Sequence, residues 1–140
     1  MIRPPDLLEQ LLAAGRWPRT AEEERQQNLS SLVPSERIRR LAPEESTIYL
    51  LAPPFRIVRE QSTSNPFWTH PMPAPSEIDF DLVLDIGDFG IGSDAPILLD
   101  YRESLETPRV IRLRWSPDGL ENHWVIMAPD FATFALELGL

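Results

Sequence analysis

The sequence predicts one α+β domain, in which a largely antiparallel β-sheet is flanked by N-terminal helices and a short C-terminal helix. Helical periodicity is confined to the N-terminal third and the C-terminus, whereas short apolar runs bounded by turn residues fill the stretch between them. Helices first, then neighbouring strands, then a closing helix are typical of this class. With 140 residues, the chain has the length of a single domain. We therefore expect one unit over residues 1–140, with a helical part at 1–45 and the sheet and closing helix at 46–140.

Three short helices are predicted in the first part. Asp6 is the expected cap of a helix that ends at Gly15, and four leucines at helical spacing form its buried stripe: Leu7, Leu8, Leu11 and Leu12. Thr20 and Glu23 have the spacing of a capping box, which predicts a polar helix through about residue 28. A further turn or two is expected from Ser35.

Six strands and a closing helix follow. The patterns predict strands at 47–51, 55–59 and 109–115, a hairpin over 82–101, and a last strand at 123–127. In the strand at 109–115, Arg112 and Arg114 share one face, which is expected to be basic or solvated. Prolines exclude a long helix between residues 52 and 76, so residues 61–77 are predicted as loop with Phe67 and Trp68 packed against the body. Asp130 is the expected cap of the C-terminal helix.

The predicted hairpin at 82–101 is the centre of the chain and carries most of its charge. Gly87, Gly90 and Gly92 allow a tight turn between its two apolar strands. Between Ser76 and Glu106 there are nine acids and one arginine, so this stretch carries −8 of the net charge of −9. A local excess of one sign favours a partner of the opposite charge. The predicted partner-binding residues are accordingly Asp79, Asp81, Asp85, Asp88 and Asp94, together with Trp68 as a loop aromatic.

Composition and spacing argue against several kinds of chemistry. The chain has no cysteine, and all 13 of its basic residues are arginine, so thiolate, Schiff-base and P-loop lysine chemistry are excluded. The glycine spacing at 87–92 lacks the dinucleotide fingerprint, and a strand rather than a helix follows it. His70 and His123 lack the paired spacing of a zinc site. No catalytic residue, cofactor or metal is predicted, although a cation site formed by Asp85, Asp88 and Asp94 stays open as an alternative.

The same composition restricts the partners and the compartment. A pI near 4.6 argues against nucleic acid, because phosphate binding needs a basic face. No apolar run approaches the roughly 20 residues of a membrane span, and no signal peptide is visible at the start. We therefore expect a cytoplasmic protein that contacts neither nucleic acid nor membrane, with its oligomeric state open.

The second half of the chain resembles the SUKH superfamily, which includes a fungal cell-wall-assembly regulator and many bacterial immunity proteins. The resemblance covers about the last 55 residues. It rests on the glycine turn at 86–94, on a strand ending in Leu99-Asp100, and on a tryptophan strand that leads into the closing helix. The matching positions are Gly87, Gly90, Gly92, Asp100, Trp124, Asp130, Phe131 and Phe134. The resemblance implies an α+β fold and, in bacteria, the binding and neutralisation of a toxin.

Three hypotheses about function follow from the sequence. The first is a non-catalytic immunity protein whose acidic surface binds a basic toxin domain, such as a nuclease. The second is a general scaffold or regulatory module that recruits cellular proteins. The third is a metal-dependent enzyme that uses the clustered acids.

Overall fold

The computed structural model describes residues 2–140, and it confirms the α+β class. This part of the chain forms five α-helices, two short 3-10 helices and a six-stranded antiparallel sheet. The α-helices are α1 Asp6–Ala13, α2 Ala21–Gln26, α3 Ser35–Leu41, α4 Val58–Ser62 and α5 Phe131–Leu138. The strands are β1 Tyr49–Leu50, β2 Arg56–Ile57, β3 Val83–Asp88, β4 Ile97–Asp100, β5 Arg109–Arg114 and β6 His123–Ala128. The 3-10 helices are Pro66–Thr69 and Pro75–Glu77.

The sheet is a meander built outward from β3. Its strand order is β1-β3-β4-β5-β6, and β2 pairs with β3 beside β1. The predicted hairpin is confirmed, since Val83 pairs with Asp100 and Asp85 with Leu98. The β3–β4 turn at 89–96 and the β5–β6 turn at 115–122 lie at one end of the sheet, which we call the turn end. The β4–β5 connection at 101–108 lies at the opposite end.

The sheet separates two apolar clusters. On one face, α1, α3 and α5 cover the larger cluster, which includes Trp17, Ile86 and Phe134. On the other face, α4 and the 3-10 helices cover a smaller cluster formed by Val58, Trp68, Ile78, Val83, Leu98 and Ile111. Alternate side chains of a strand point to opposite faces, so residues 83 and 85 of β3 face the smaller cluster, whereas residues 84 and 86 face the larger one.

Helix ends follow the predicted capping, with one exception. Thr20 accepts a hydrogen bond from the Glu23 N–H at 3.1 Å, and Asp130 accepts one from the Thr133 N–H at 2.7 Å. The prediction that Asp6 caps α1 is wrong, because the N-cap is Pro5. Asp6 is the first helical residue instead, where a carboxylate still interacts favourably with the helix dipole.

The middle of the chain is more helical and less extended than its pattern predicts. The strand expected at 47–51 is reduced to Tyr49–Leu50, and the strand expected at 55–59 ends at Ile57, where α4 begins. Val58 is fully buried in the smaller cluster, and the helical turn that follows allows it to pack there while Arg59 stays at the surface. The loop expected at 61–77 contains the end of α4 and both 3-10 helices, although Phe67 and Trp68 do pack against the body.

The face of β5 that carries Arg112 and Arg114 was predicted to be basic or solvated, and the structure shows that it is solvated at Arg114 but not at Arg112. Only 5% of Arg112 is exposed, and its guanidinium pairs with Glu44 and lies 5.6 Å from the centre of the Phe89 ring. The connection between α3 and β1, which contributes Glu44, therefore covers this face of the sheet. Arg114 is exposed.

Two glycines of the turn are required by the backbone. At Gly87, a Cβ atom would lie 3.0 Å from the carbonyl oxygen of Tyr49 on β1, and Gly92 has a φ of +76°.

We expect Gly87→Ala to lower the free energy of unfolding by about 1–3 kcal/mol, because β1 must move away from β3. Chemical denaturation measures this change. Gly90→Ala is the matched control, since its Cβ would meet only the Thr47 hydroxyl at 3.6 Å. Equal effects of the two substitutions would contradict the expectation.

Candidate functional site

The exposed apolar side chains are concentrated at the turn end. Eight large apolar side chains are exposed within residues 2–140, and five of them belong to loops that reach this end: Leu29, Leu32, Met72, Ile91 and Leu120. Of these, Leu32 lines a separate recess with Gly15 and Trp17. Loop 28–32 lies against the β3–β4 turn across a recess lined by Asn28, Ser31 and Ile91. Contiguous exposed apolar groups are typical of interaction sites. We call the exposed side chains of loops 28–32, 66–73, 89–96 and 115–122 the turn-end surface.

The β3–β4 turn holds its exposed residues in place through Asp88. The carboxylate of Asp88 accepts hydrogen bonds from the Phe89 N–H at 2.7 Å, the Ala95 N–H at 3.3 Å and the Ser93 hydroxyl. Asp94 has a φ of +51°, a conformation that aspartate tolerates. Its backbone carbonyl accepts a hydrogen bond from the Trp115 indole at 2.9 Å. Asp88 is therefore a structural residue of the turn, whereas Asp94 and Ile91 are presented to solvent.

An open groove crosses this surface between the β3–β4 turn and the 66–73 loop. It has a volume of about 290 Å³ and is lined by Phe67, His70, Met72, Asp94, Trp115 and two prolines. The lining is mostly aromatic and aliphatic, with one carboxylate. Binding pockets are commonly built in this way, from apolar walls with a few polar groups that fix orientation.

Side chains from the sheet anchor the loop that forms one wall of the groove. The amide of Asn122, which is 5% exposed, donates to the Met72 carbonyl at 3.0 Å. The Trp124 indole donates to the Pro73 carbonyl at 2.6 Å. Trp68 is 2% exposed, and its indole donates to the Gln61 side chain at 2.8 Å. The groove is thus held in shape without a partner, which lowers the entropy cost of binding.

Trp68 was predicted to contact a partner directly, and its burial contradicts this. Its ring stacks on Trp124 with centroids 6.2 Å apart, and Phe67 packs edge-on against it at 5.1 Å. The neighbouring residue, Phe67, lines the groove in its place. Burial in the smaller cluster decides between the two adjacent aromatics, and the sequence shows no difference between them.

Asp85 is buried and does not belong to an acidic surface, which is a second correction. Its Oδ2 accepts a hydrogen bond from the Gln61 amide at 3.0 Å, while Oδ1 has no partner among residues 2–140. Burial, with a smaller contribution from the charge of Asp88, raises the pKa of Asp85 to about 7, although the Gln61 bond acts in the opposite direction. The residue faces the smaller cluster because it is two positions from Val83 on β3.

Asp79 and Asp81 lie at the opposite end from Asp94, so the predicted acids do not form one surface. Asp81 pairs with Arg59 at 3.0 Å, and Asp79 accepts a hydrogen bond from the Asp81 N–H. The six residues of β3 separate them from the turn, a length of about 20 Å. Other acids of the 76–106 stretch are also paired with bases: Glu77 with His123, Asp100 with Arg102 and Arg109, and Glu103 with Arg109.

The turn end nevertheless keeps an excess of acid. Its turns expose Asp94, Asp118 and Glu121 but no arginine, and the exposed Arg114 at the adjoining end of β5 lies 4.0 Å from Glu44. The pKa of Asp118 is lowered by hydrogen bonds from the Ser116 hydroxyl and the Leu120 N–H, so this acid stays charged at neutral pH. The turn-end surface therefore combines apolar side chains with negative charge.

The proposed cation site at Asp85, Asp88 and Asp94 does not form. Nowhere in residues 2–140 do three or more His, Cys, Asp or Glu side chains come together in a group that could hold a metal ion. Asp85 is buried beneath Gln61, and the carboxylate of Asp88 is used in hydrogen bonds within the turn.

Within residues 2–140, no helix has the length and apolar character needed to cross a membrane.

Sequence reasoning missed the apolar half of the turn-end surface. Ile91 is a large aliphatic residue between two glycines in a turn, a local signal that could have indicated an exposed side chain. Leu29, Met72 and Trp115 carried no comparable signal, because their loops meet only in the folded chain.

Comparisons with protein-family models, curated proteins and solved structures find no match to this chain.

Proposed function

We propose that this chain is a non-catalytic protein-binding domain, in the manner of a SUKH immunity protein, and that it binds a basic protein through its turn-end surface. The observation that carries the proposal is the number of exposed apolar side chains in the loops of the turn end, together with a fixed groove and an exposed acid. A toxin domain with a basic surface, for example a nuclease, is the partner that we propose. The absence of cysteine is compatible with action in the cytoplasm, which we include in the proposal.

The two properties of the surface have different roles in binding. Negative charge speeds the encounter with a basic partner and selects its orientation, and this effect weakens as salt rises. Apolar anchors such as Ile91 and Met72 lose water on binding and determine how long the complex lasts. Asp79 and Asp81 lie outside the surface, and we expect them to contribute little to affinity.

A pull-down with two matched triple variants tests the proposal. The turn-end variant carries Leu29→Ser, Ile91→Ser and Asp94→Asn. The control variant carries Leu105→Ser, Leu136→Ser and Asp79→Asn, which removes two exposed leucines and one partly exposed acid elsewhere. The three full-length proteins are immobilised and exposed at low salt to lysate of the native cells. Bound proteins are then eluted by raising salt and identified by mass spectrometry.

We expect the wild-type and control proteins to capture the same basic protein and the turn-end variant to lose it. Re-measured with the purified partner, the loss should be at least tenfold in Kd, because anchor residues commonly contribute more than 1 kcal/mol each. Loss of the partner by the control variant alone would contradict the proposal. Capture of many unrelated proteins would favour the scaffold hypothesis instead.

A further inference from the structure

We propose that the groove between the β3–β4 turn and the 66–73 loop is a recognition site for one basic side chain, an arginine or lysine, of the bound partner. This inference rests on the proposed function and specifies which chemical group enters the groove. It is carried by the aromatic and carboxylate groups that the groove places side by side.

The carboxylate of Asp94 is free to take a cation. Asp94 is exposed, and its side chain makes no hydrogen bond or ion pair with residues 2–140. No arginine lines the groove. The Nδ1 atom of His70 accepts a hydrogen bond from the Met72 N–H at 3.1 Å, so this atom is directed at the backbone of its own loop. The groove therefore has a negative charge without a partner.

Two aromatic residues, Trp115 and Phe67, line the same groove as Asp94. The indole of Trp115 is fixed beside Asp94 by its hydrogen bond to the Asp94 carbonyl, and Phe67 is held on the other wall by Trp68. The faces of tryptophan and phenylalanine attract cations. Met72 and the two prolines offer apolar surface to the methylene groups of an arginine or lysine stem, which such side chains bury while their charge stays near water.

The molecule already pairs its own arginines in this way at two places. Arg59 lies 5.2 Å from the centre of the Phe80 ring and pairs with Asp81. Arg112 lies 5.6 Å from the Phe89 ring and pairs with Glu44. At both places a guanidinium joins an aromatic face to a carboxylate. The groove presents the ring and the carboxylate of the same arrangement, and the cation is the component that it lacks.

The size of the groove agrees with a single side chain. Its volume of about 290 Å³ lies at the lower limit of ligand pockets, which range from about 300 to 1,000 Å³. Its walls come from a structural turn and a loop anchored by Asn122 and Trp124, so little reorganisation is needed on binding.

Titration of the ¹⁵N-labelled full-length chain with N-acetyl-arginine amide tests the site, using the four indole N–H signals in a heteronuclear NMR spectrum. Each indole has a different acceptor, and Trp115→Phe identifies the signal at the groove. We expect the arginine amide to move the Trp115 signal with a Kd in the millimolar range, while the signal of Trp17 stays in place. N-acetyl-citrulline amide, which has nearly the same shape without the charge, should bind at least tenfold more weakly.

Asp94→Asn is the matched variant, because asparagine tolerates the positive φ and keeps the turn. It should weaken binding of the arginine amide at least tenfold, whereas Asp79→Asn should have no effect. Equal binding of the arginine and citrulline amides, or no movement of the Trp115 signal at tens of millimolar, would overturn the inference. A negative titration would then exclude the cation site alone. The proposed protein-binding function would still be supported if the turn-end triple variant loses the partner in the pull-down.

Discussion

Asp85→Asn should make the protein more stable than wild type at alkaline pH, and this gain should become smaller as the pH falls. Asp85 is 9% exposed, has one hydrogen-bond partner in the Gln61 amide, and has a pKa raised to about 7 from its ordinary value of 3.8. Asparagine resembles the protonated form of this side chain in shape and charge. The substitution therefore removes the cost of an ionised carboxylate in the apolar cluster between the sheet and α4.

The direction of the pH dependence follows from the raised pKa. Between pH 4 and pH 7 the unfolded chain has released the Asp85 proton while the folded chain still holds it. The folded state therefore binds more protons, and its stability falls as pH rises through this window. The free energy of unfolding that is lost over the whole window is about 4 kcal/mol, because each unit of difference between the folded and unfolded pKa corresponds to about 1.36 kcal/mol. Since part of it is already lost at pH 5, Asp85→Asn should gain about 2–3 kcal/mol relative to wild type between pH 5 and pH 9.

Chemical denaturation of both proteins at pH 5, 7 and 9 measures this gain. Comparing the variant with wild type at each pH cancels the titration of all other groups. Asp94→Asn removes an exposed carboxylate without a partner, so it should change stability by less than about 0.5 kcal/mol at each pH. If the gain of Asp85→Asn were the same at pH 5 and pH 9, the carboxyl would not titrate with a raised pKa.

Asp100→Asn is expected to give the largest loss of stability among the charged groups. The Asp100 side chain is fully buried at the end of β4 and pairs with Arg102 at 3.1 Å and with Arg109 at 3.0 Å. Removal of its charge leaves two half-buried guanidinium groups without their shared partner. Loss of one member of a buried ion pair commonly costs about 3–5 kcal/mol. Because both guanidinium groups reach solvent in part, we expect a value near the lower limit.

The same cluster should contribute to acid sensitivity. Burial acts to raise the pKa of Asp100, but hydrogen bonds from Arg102 and Arg109 outweigh it, and the net pKa lies below the ordinary value of 3.8. The stabilisation is thus present above pH 3.8 and is lost as pH falls through the lowered pKa of the folded state. Acid denaturation of wild type and Asp100→Asn measures the difference.

Glu103→Gln provides the control for Asp100→Asn. Glu103 also pairs with Arg109, at 3.2 Å, but 74% of its side chain is exposed. Surface pairs of this kind contribute at most about 1 kcal/mol, so this variant should remain close to wild type. Similar losses for the two variants would show that burial of Asp100 does not decide the strength of the cluster.

The parts of the fold that were predicted correctly depend on neighbours in the chain. The caps at Thr20 and Asp130 are formed with residues three positions away, and the hairpin at 82–101 joins strands that follow each other directly. Such interactions are present in the linear pattern, because the partners are close in sequence. The apolar spacing of α1 and α5 is also a local pattern, and it was sufficient to predict these two helices and, with the strands, the α+β class.

The candidate site depends on contacts between distant segments, which the linear pattern does not contain. Both faces of β3 are covered, and the packing of α4 with its Gln61 decides that Asp85 is buried. The length of β3 separates Asp79 from Asp94, and the 66–73 loop is held beside Asp94 and Trp115 by Asn122 in the β5–β6 turn and by Trp124 on β6. The sequence by itself determined the class of fold, the hairpin and the net charge. Tertiary structure alone decided which acids are free and which apolar side chains surround them, because burial and pairing depend on residues far apart in the chain.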